Sequence, residues 1–193
     1  MNSQFSNWLF IGIAGIAGVA CVYFVSWHIF AYIAPKKVEK FELNFVVRDI
    51  KHYFGFLFEK GYKICSAYYA YQHFGNWGIQ LESQDCVIFI VQDRFEISIS
   101  FSPVFESRDY NHQIGLQTMI YFLSKGKNFV GSFNGNHFWN KKRQFERMAV
   151  LLNEYLDQIV PYFGKNLYYE SKVEFVDAYM DYVRILGQNA KRA

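Results

Sequence analysis

Formal charge is missing from the first 34 residues. No Asp, Glu, Lys or Arg occurs there, so all 20 basic and all 17 acidic side chains lie beyond them. Catalytic signatures are missing as well. The chain has no P-loop, no dinucleotide-binding glycine fingerprint, no HExxH, no CxxC and no GxSxG. Those absences remove the main motif-based routes to nucleotide, zinc-hydrolase, thiol-redox and serine-hydrolase chemistry. Proline occurs three times, and each one marks an expected stop: Pro35, Pro103 and Pro161. Cysteine also occurs three times, at Cys21, Cys65 and Cys86. An odd count without regular spacing is not a disulfide framework, and the three read as small apolar side chains.

What the charge-free segment does contain is a long apolar run. Trp8 to Ile33 reads as a helix of ~39 Å, longer than the ~30 Å hydrocarbon core of a bilayer. Trp8 stands at one end, and Trp27 and Tyr32 near the other, as in interfacial aromatic belts. Residues 1–34 are therefore expected to be a transmembrane segment that contacts lipid through residues 8–33. The missing basic residues before Trp8 and the length of the run exclude a cleaved signal peptide. Lys36, Lys37 and Lys40 follow the run, which places the C-terminal domain on the cytoplasmic side of the inner membrane. Ala14 and Gly18 form a small-xxx-small pair suited to helix packing, and hence to a homodimer through the span.

Beyond a linker at 35–40, residues 41–187 read as one soluble domain, with 188–193 as a tail. Leu43, Val46, Ile50, Tyr53, Phe54 and Leu57 recur at helical spacing, so one helix is expected from Leu43 to Lys60, with Gly61 as its stop. Four strands follow. Lys63 to Gln72 is rich in Tyr. Gly78 to Ser83 alternates, with Ile79 and Leu81 on one face. Cys86 to Val91 is continuously apolar, as expected for a strand covered on both faces. Phe95, Ile97, Ile99 and Phe101 alternate with polar residues, as in a half-solvated antiparallel strand. Three helices close the chain: Ile114 to Ser124, Lys142 to Val160, and a last one marked by Val173, Val176, Tyr179, Val183 and Leu186. The expected class is α+β: a transmembrane helix, a helix, a four-stranded antiparallel meander and three C-terminal helices.

Of the 40 aromatic residues, most lie outside the apolar run, more than a core of this size fully encloses, so some are expected at an interface. The net charge of +3 is well mixed and excludes a nucleic-acid footprint. His52, His73, His112 and His137 stand apart, without the short spacing of metal ligands. Asp109, His112 and a cysteine, Cys65 or Cys86, make a nucleophilic set only on paper. The loop from Gly131 to His137 has glycines but no strand leading into it, so it reads as a surface loop rather than a phosphate cradle. No catalytic residue, metal ligand or cofactor is expected. The turn holding Asp93 and Arg94 is the better candidate, as a specificity contact beside an aromatic anchor, Phe74 or Trp77.

Two stretches, FGNWGIQLES (residues 74–83) and CVIFIVQDRFEISISFSP (residues 86–103), with a leading helix, resemble small bacterial α+β proteins found near polymorphic toxin systems. The resemblance covers residues 43–105. The chain departs from that pattern in having Phe95, not Gly, after the Asp93–Arg94 pair, and in its apolar N-terminus. The resemblance implies a non-enzymatic immunity protein that neutralises a toxin, here anchored at a membrane. The alternative is an accessory subunit of a membrane protein complex. Either way the expected partner is a protein, not nucleic acid.

Overall fold

The structure, a computed structural model, describes residues 35–94, 96–106, 113–130 and 141–190, together with positions 22, 25 and 26. Contacts divide the chain into Met1–Glu42 and Leu43–Ala193, and the architecture that follows is that of the second unit. Apart from those three positions, the run from Trp8 to Ile33 lies outside the described residues, as do Ala14 and Gly18. The expected architecture needs correction on this point. Among the described residues, no helix is long and apolar enough to cross a membrane.

Helix α1 (Pro35–Tyr53) begins ahead of the expected start at Leu43, and its residues from Leu43 onward belong to the second unit. A break at Phe54 separates it from the short α2 (Gly55–Glu59), so the one helix expected from 43 to 60 is two. Val46, Ile50, Phe54 and Leu57 are buried in the core across that break. The spacing of four, four and three holds one apolar face through the kink, which is why periodicity alone does not reveal it. Gly61 ends the pair with φ +88°, and its N–H bonds the Phe58 carbonyl at 3.1 Å.

Four strands follow: β1 (Lys63–Ala70), β2 (Asn76–Glu82), β3 (Cys86–Asp93) and β4 (Glu96–Pro103). A fifth, β5 (Ile114–Gly115), pairs with Ser100 and Phe101. The sheet is therefore five-stranded and antiparallel throughout, in the order β1-β2-β3-β4-β5, and not the expected four-stranded meander. Two residues are too few to display an alternation of period two, so the sequence pattern does not separate β5 from the helix expected from Ile114. That helix, α3 (Leu116–Leu123), starts two residues later. Between β1 and β2 the register slips at Cys65, a bulge.

Trp77, Ile79 and Leu81 from β2, Ile88 and Ile90 from β3, and Ile97, Ile99 and Phe101 from β4 share one core. The helices complete it. Helix α4 (Lys141–Ile159) contributes Phe145, Met148, Leu152, Leu156 and Ile159, spaced by three or four residues. A 3-10 turn at Val160–Phe163 places Phe163 in the core and leads into α5 (Lys165–Ala190). Val87 and Phe89 point to the other side of β3 and are buried too, so this strand is enclosed on both faces.

Helix α5 is apolar on two sides. Tyr168, Phe175 and Tyr182 are buried, whereas Val173, Val176, Tyr179 and Val183, four of the residues that mark this helix in the sequence, are exposed.

Candidate functional site

An antiparallel meander brings alternate turns to one end of the sheet. The β1–β2 and β3–β4 turns share that end, and they carry three of the four residues singled out for partner binding. In the first turn, His73 N–H bonds the Ala70 carbonyl at 3.1 Å, and Asn76 N–H bonds the His73 carbonyl at 3.0 Å. Closing the chain this tightly puts Phe74 at φ +59° and Gly75 at φ +70°. Glycine takes that conformation freely, but a bulky aromatic does so rarely and at a strain of ~1–3 kcal/mol. The Phe74 side chain is 72% exposed.

The second turn has only two residues between the paired Asp93 and Glu96. Two-residue hairpins need a positive φ at their first central position to match the twist of the strands. Arg94 occupies that position with φ +47°.

Asn76 ties the two turns together. Its Nδ2 donates to Asp93 Oδ1 at 2.6 Å, and its Oδ1 accepts from the Arg94 backbone N–H at 2.9 Å. Gln92 Nε2 adds a longer bond to the Gly75 carbonyl at 3.4 Å. The Asn76 contacts fix the Asp93 carboxylate and the Arg94 backbone beside the Phe74 turn. Asn76→Ala removes both side-chain bonds and is expected to lower stability by ~1–2 kcal/mol in chemical denaturation. An unchanged unfolding midpoint would show that the two turns hold their shape separately.

Trp77, the fourth residue, is not at the surface. It is 1% exposed and stacks on Phe145, with ring centroids 5.9 Å apart. Lys141 Nζ, at the start of α4, sits 5.4 Å from the Trp77 ring centre and 5.7 Å from that of Phe145. So of the two aromatics beside the Asp93–Arg94 turn, Phe74 is the accessible one and Trp77 supports the floor beneath it. Sequence reasoning missed Asn76 and Lys141. A signal for Trp77 was present, because it shares the parity of Ile79 and Leu81 on β2.

A second concavity lies between α5, the outer edge of β4, β5 and the start of α3, with a volume of about 780 Å³. Its walls include Ser98, Gln113, Thr118, Lys172, Tyr179 and Val183. Burial raises the Tyr182 phenol, whose hydroxyl also donates to the Val130 carbonyl at 2.6 Å.

Elsewhere, no cluster of metal-ligating side chains occurs among the described residues. Asp109, His112 and the loop from Gly131 to His137 lie outside them. Cys65 and Cys86 are both free thiols. Cys86 is fully buried, and desolvation pushes its thiol far up, a direction that disfavours the nucleophilic thiolate. Cys65 is exposed, but desolvation and the neighbouring Glu82 carboxylate raise it also. Thiol labelling of the native protein followed by peptide mapping should modify Cys65 more slowly than an unhindered thiol at neutral pH and leave Cys86 unmodified until unfolding. Fast native labelling of Cys86 would contradict its burial.

No protein-family model matches the chain, and neither a curated protein nor a solved structure matches it. What the described residues define is an α+β domain whose most distinctive surface is a strained, hydrogen-bonded rim at one end of its sheet.

Proposed function

We propose that the chain is a non-enzymatic binding protein that engages a protein partner through the rim formed by Phe74, Asp93 and Arg94. The observation that carries this reading is Phe74. A large aromatic is held in left-handed backbone, mostly exposed, beside a charged pair whose positions Asn76 fixes. Exposed aromatics and arginine are the residue types that dominate protein interfaces. A backbone and a carboxylate fixed in advance lose less conformational freedom on binding. Strain of this kind gathers at functional sites because ordinary selection for stability would remove it.

The likeness of residues 43–105 to immunity-like proteins makes a protein toxin the partner class to try first. Full-length chain, immobilised and exposed to an extract of its own cells, should retain a defined protein at near-equal stoichiometry. Expressed in a susceptible strain, it should protect against the toxin so retained. Recovery of no protein, together with no protection in the toxin challenge, would defeat the reading.

A further inference from the structure

We propose that the outward face of α5 pairs with the same helix of a second copy, as a short parallel coiled coil. Tyr169, Val173, Val176, Met180 and Val183 follow one another at intervals of four, three, four and three residues. That alternation is the seam of a two-stranded coiled coil, with Val173 and Met180 at a positions and Tyr169, Val176 and Val183 at d. All five are exposed, at 51%, 69%, 56%, 63% and 43% in chain order of Tyr169, Val173, Val176, Met180 and Val183. Tyr168, Phe175 and Tyr182 fill the core side, while Val176 and Val183 border the concavity between α5 and the sheet and keep much of their surface accessible. A surface helix ordinarily carries polar residues opposite its buried face, so a second apolar stripe calls for an occupant.

Charge identifies the occupant. In this register Lys165 and Lys172 fall at g positions, and Glu170 and Asp177 at e positions. In a parallel pair, each g residue meets the e residue five places further along the partner helix. Lys165 then faces Glu170 of the second copy, and Lys172 faces Asp177. The next such pair is Tyr179 with Arg184, an aromatic face against a guanidinium. An antiparallel pair sets g against g and e against e, which gives up every lysine–carboxylate pair. A helix whose basic edge complements its own acidic edge at one fixed offset matches itself in parallel. Within one copy, Lys172 Nζ lies 3.7 Å from Glu106 Oε2, and Tyr169 donates to Glu106 Oε1 at 3.0 Å, so the N-terminal end of the seam also touches the turn after β4.

The stripe from Tyr169 to Val183 covers ~21 Å of helix axis. A seam of that length favours a reversible dimer, with dissociation in the micromolar range rather than the nanomolar.

Sedimentation velocity on the full chain across ~1–100 µM tests this, a range that brackets micromolar association. The expected result is a concentration-dependent monomer–dimer equilibrium. Val176→Glu with Val183→Glu, both at exposed positions, should leave the thermal unfolding curve in place and abolish the dimer. Lys165→Glu with Lys172→Glu should weaken association at least tenfold, and adding Glu170→Lys with Asp177→Lys to that chain should restore it. Val183→Cys should cross-link to itself on mild oxidation, as a parallel seam requires. A monomer at every concentration overturns the proposal. So does a dimer that survives Val176→Glu with Val183→Glu, which would place self-association elsewhere, residues 1–34 included. Failure of the charge exchange to restore association rejects the parallel seam.

Discussion

Trp77→Ala should lower the stability of the domain by ~3–5 kcal/mol, the range for removing a large aromatic from a packed core. Trp77 is among the largest fully buried side chains, and it lies between the sheet and the first turn of α4. Its removal takes the stacking surface from Phe145, which itself packs on Tyr53 at 5.2 Å and Phe54 at 6.0 Å. The indole ring also carries the Lys141 ammonium over its face. One change therefore loosens α1, β2 and α4 together. Trp77→Phe is expected to be much milder. It retains an aromatic on Phe145 and removes an indole N–H that is buried without a hydrogen-bond partner among the described residues. Guanidinium denaturation of both variants checks this. Equal, small losses for the two would mean that Trp77 is not a keystone of the floor.

Phe74→Gly should move binding and stability in opposite directions. Glycine adopts φ near +59° without the steric penalty of a bulky side chain, which relieves ~1–2 kcal/mol. The greater backbone freedom of glycine in the unfolded chain offsets ~0.5–1 kcal/mol of that. The variant is thus expected to be as stable as the parent or slightly more so. Partner binding should fall by ~2 kcal/mol or more, on the order of 30-fold, if the ring is the interface anchor. A core residue or a purely structural turn residue does not behave this way, since its removal harms folding first. The pairing of unharmed stability with lost binding is what separates an aromatic held for function from one held for the fold.

Period and parity made much of the domain legible in the sequence. The alternation of Ile97, Ile99 and Phe101 and the apolar run from Cys86 place β4 and β3 correctly, because burial on one or both faces writes itself into every residue of a strand. Helix α4 was legible for the same reason, through Phe145, Met148, Leu152 and Leu156. What failed were features that no periodic pattern encodes. The break at Phe54 preserves the apolar face on both sides of it. The strand at Ile114–Gly115 exists only because Ser100 and Phe101 offer it an edge. In α5 two apolar stripes share one helix, and spacing alone does not say which turns inward. Only burial settles it, since Tyr168, Phe175 and Tyr182 fill the core while the valines, Tyr169 and Tyr179 remain outside.

The candidate site was legible in part. Charges at a tight turn with a neighbouring aromatic drew attention to Phe74, Asp93 and Arg94, and the structure brings all three to one end of the sheet. Choosing between Phe74 and Trp77 required parity, which assigns Trp77 to the core with Ile79 and Leu81. Asn76 was beyond reach of the sequence. Its two partners lie 17 and 18 residues away and meet it only because consecutive hairpins return the chain to the same end.

The most direct measurement is a side-by-side capture by the parent chain and Phe74→Gly, both immobilised at equal density and both shown to be folded, with retained proteins quantified by mass spectrometry. The expected result is one protein partner held by the parent and reduced at least tenfold on Phe74→Gly, with the variant's unfolding midpoint equal or higher. Equal retention by the two chains, or no partner on either, would contradict it.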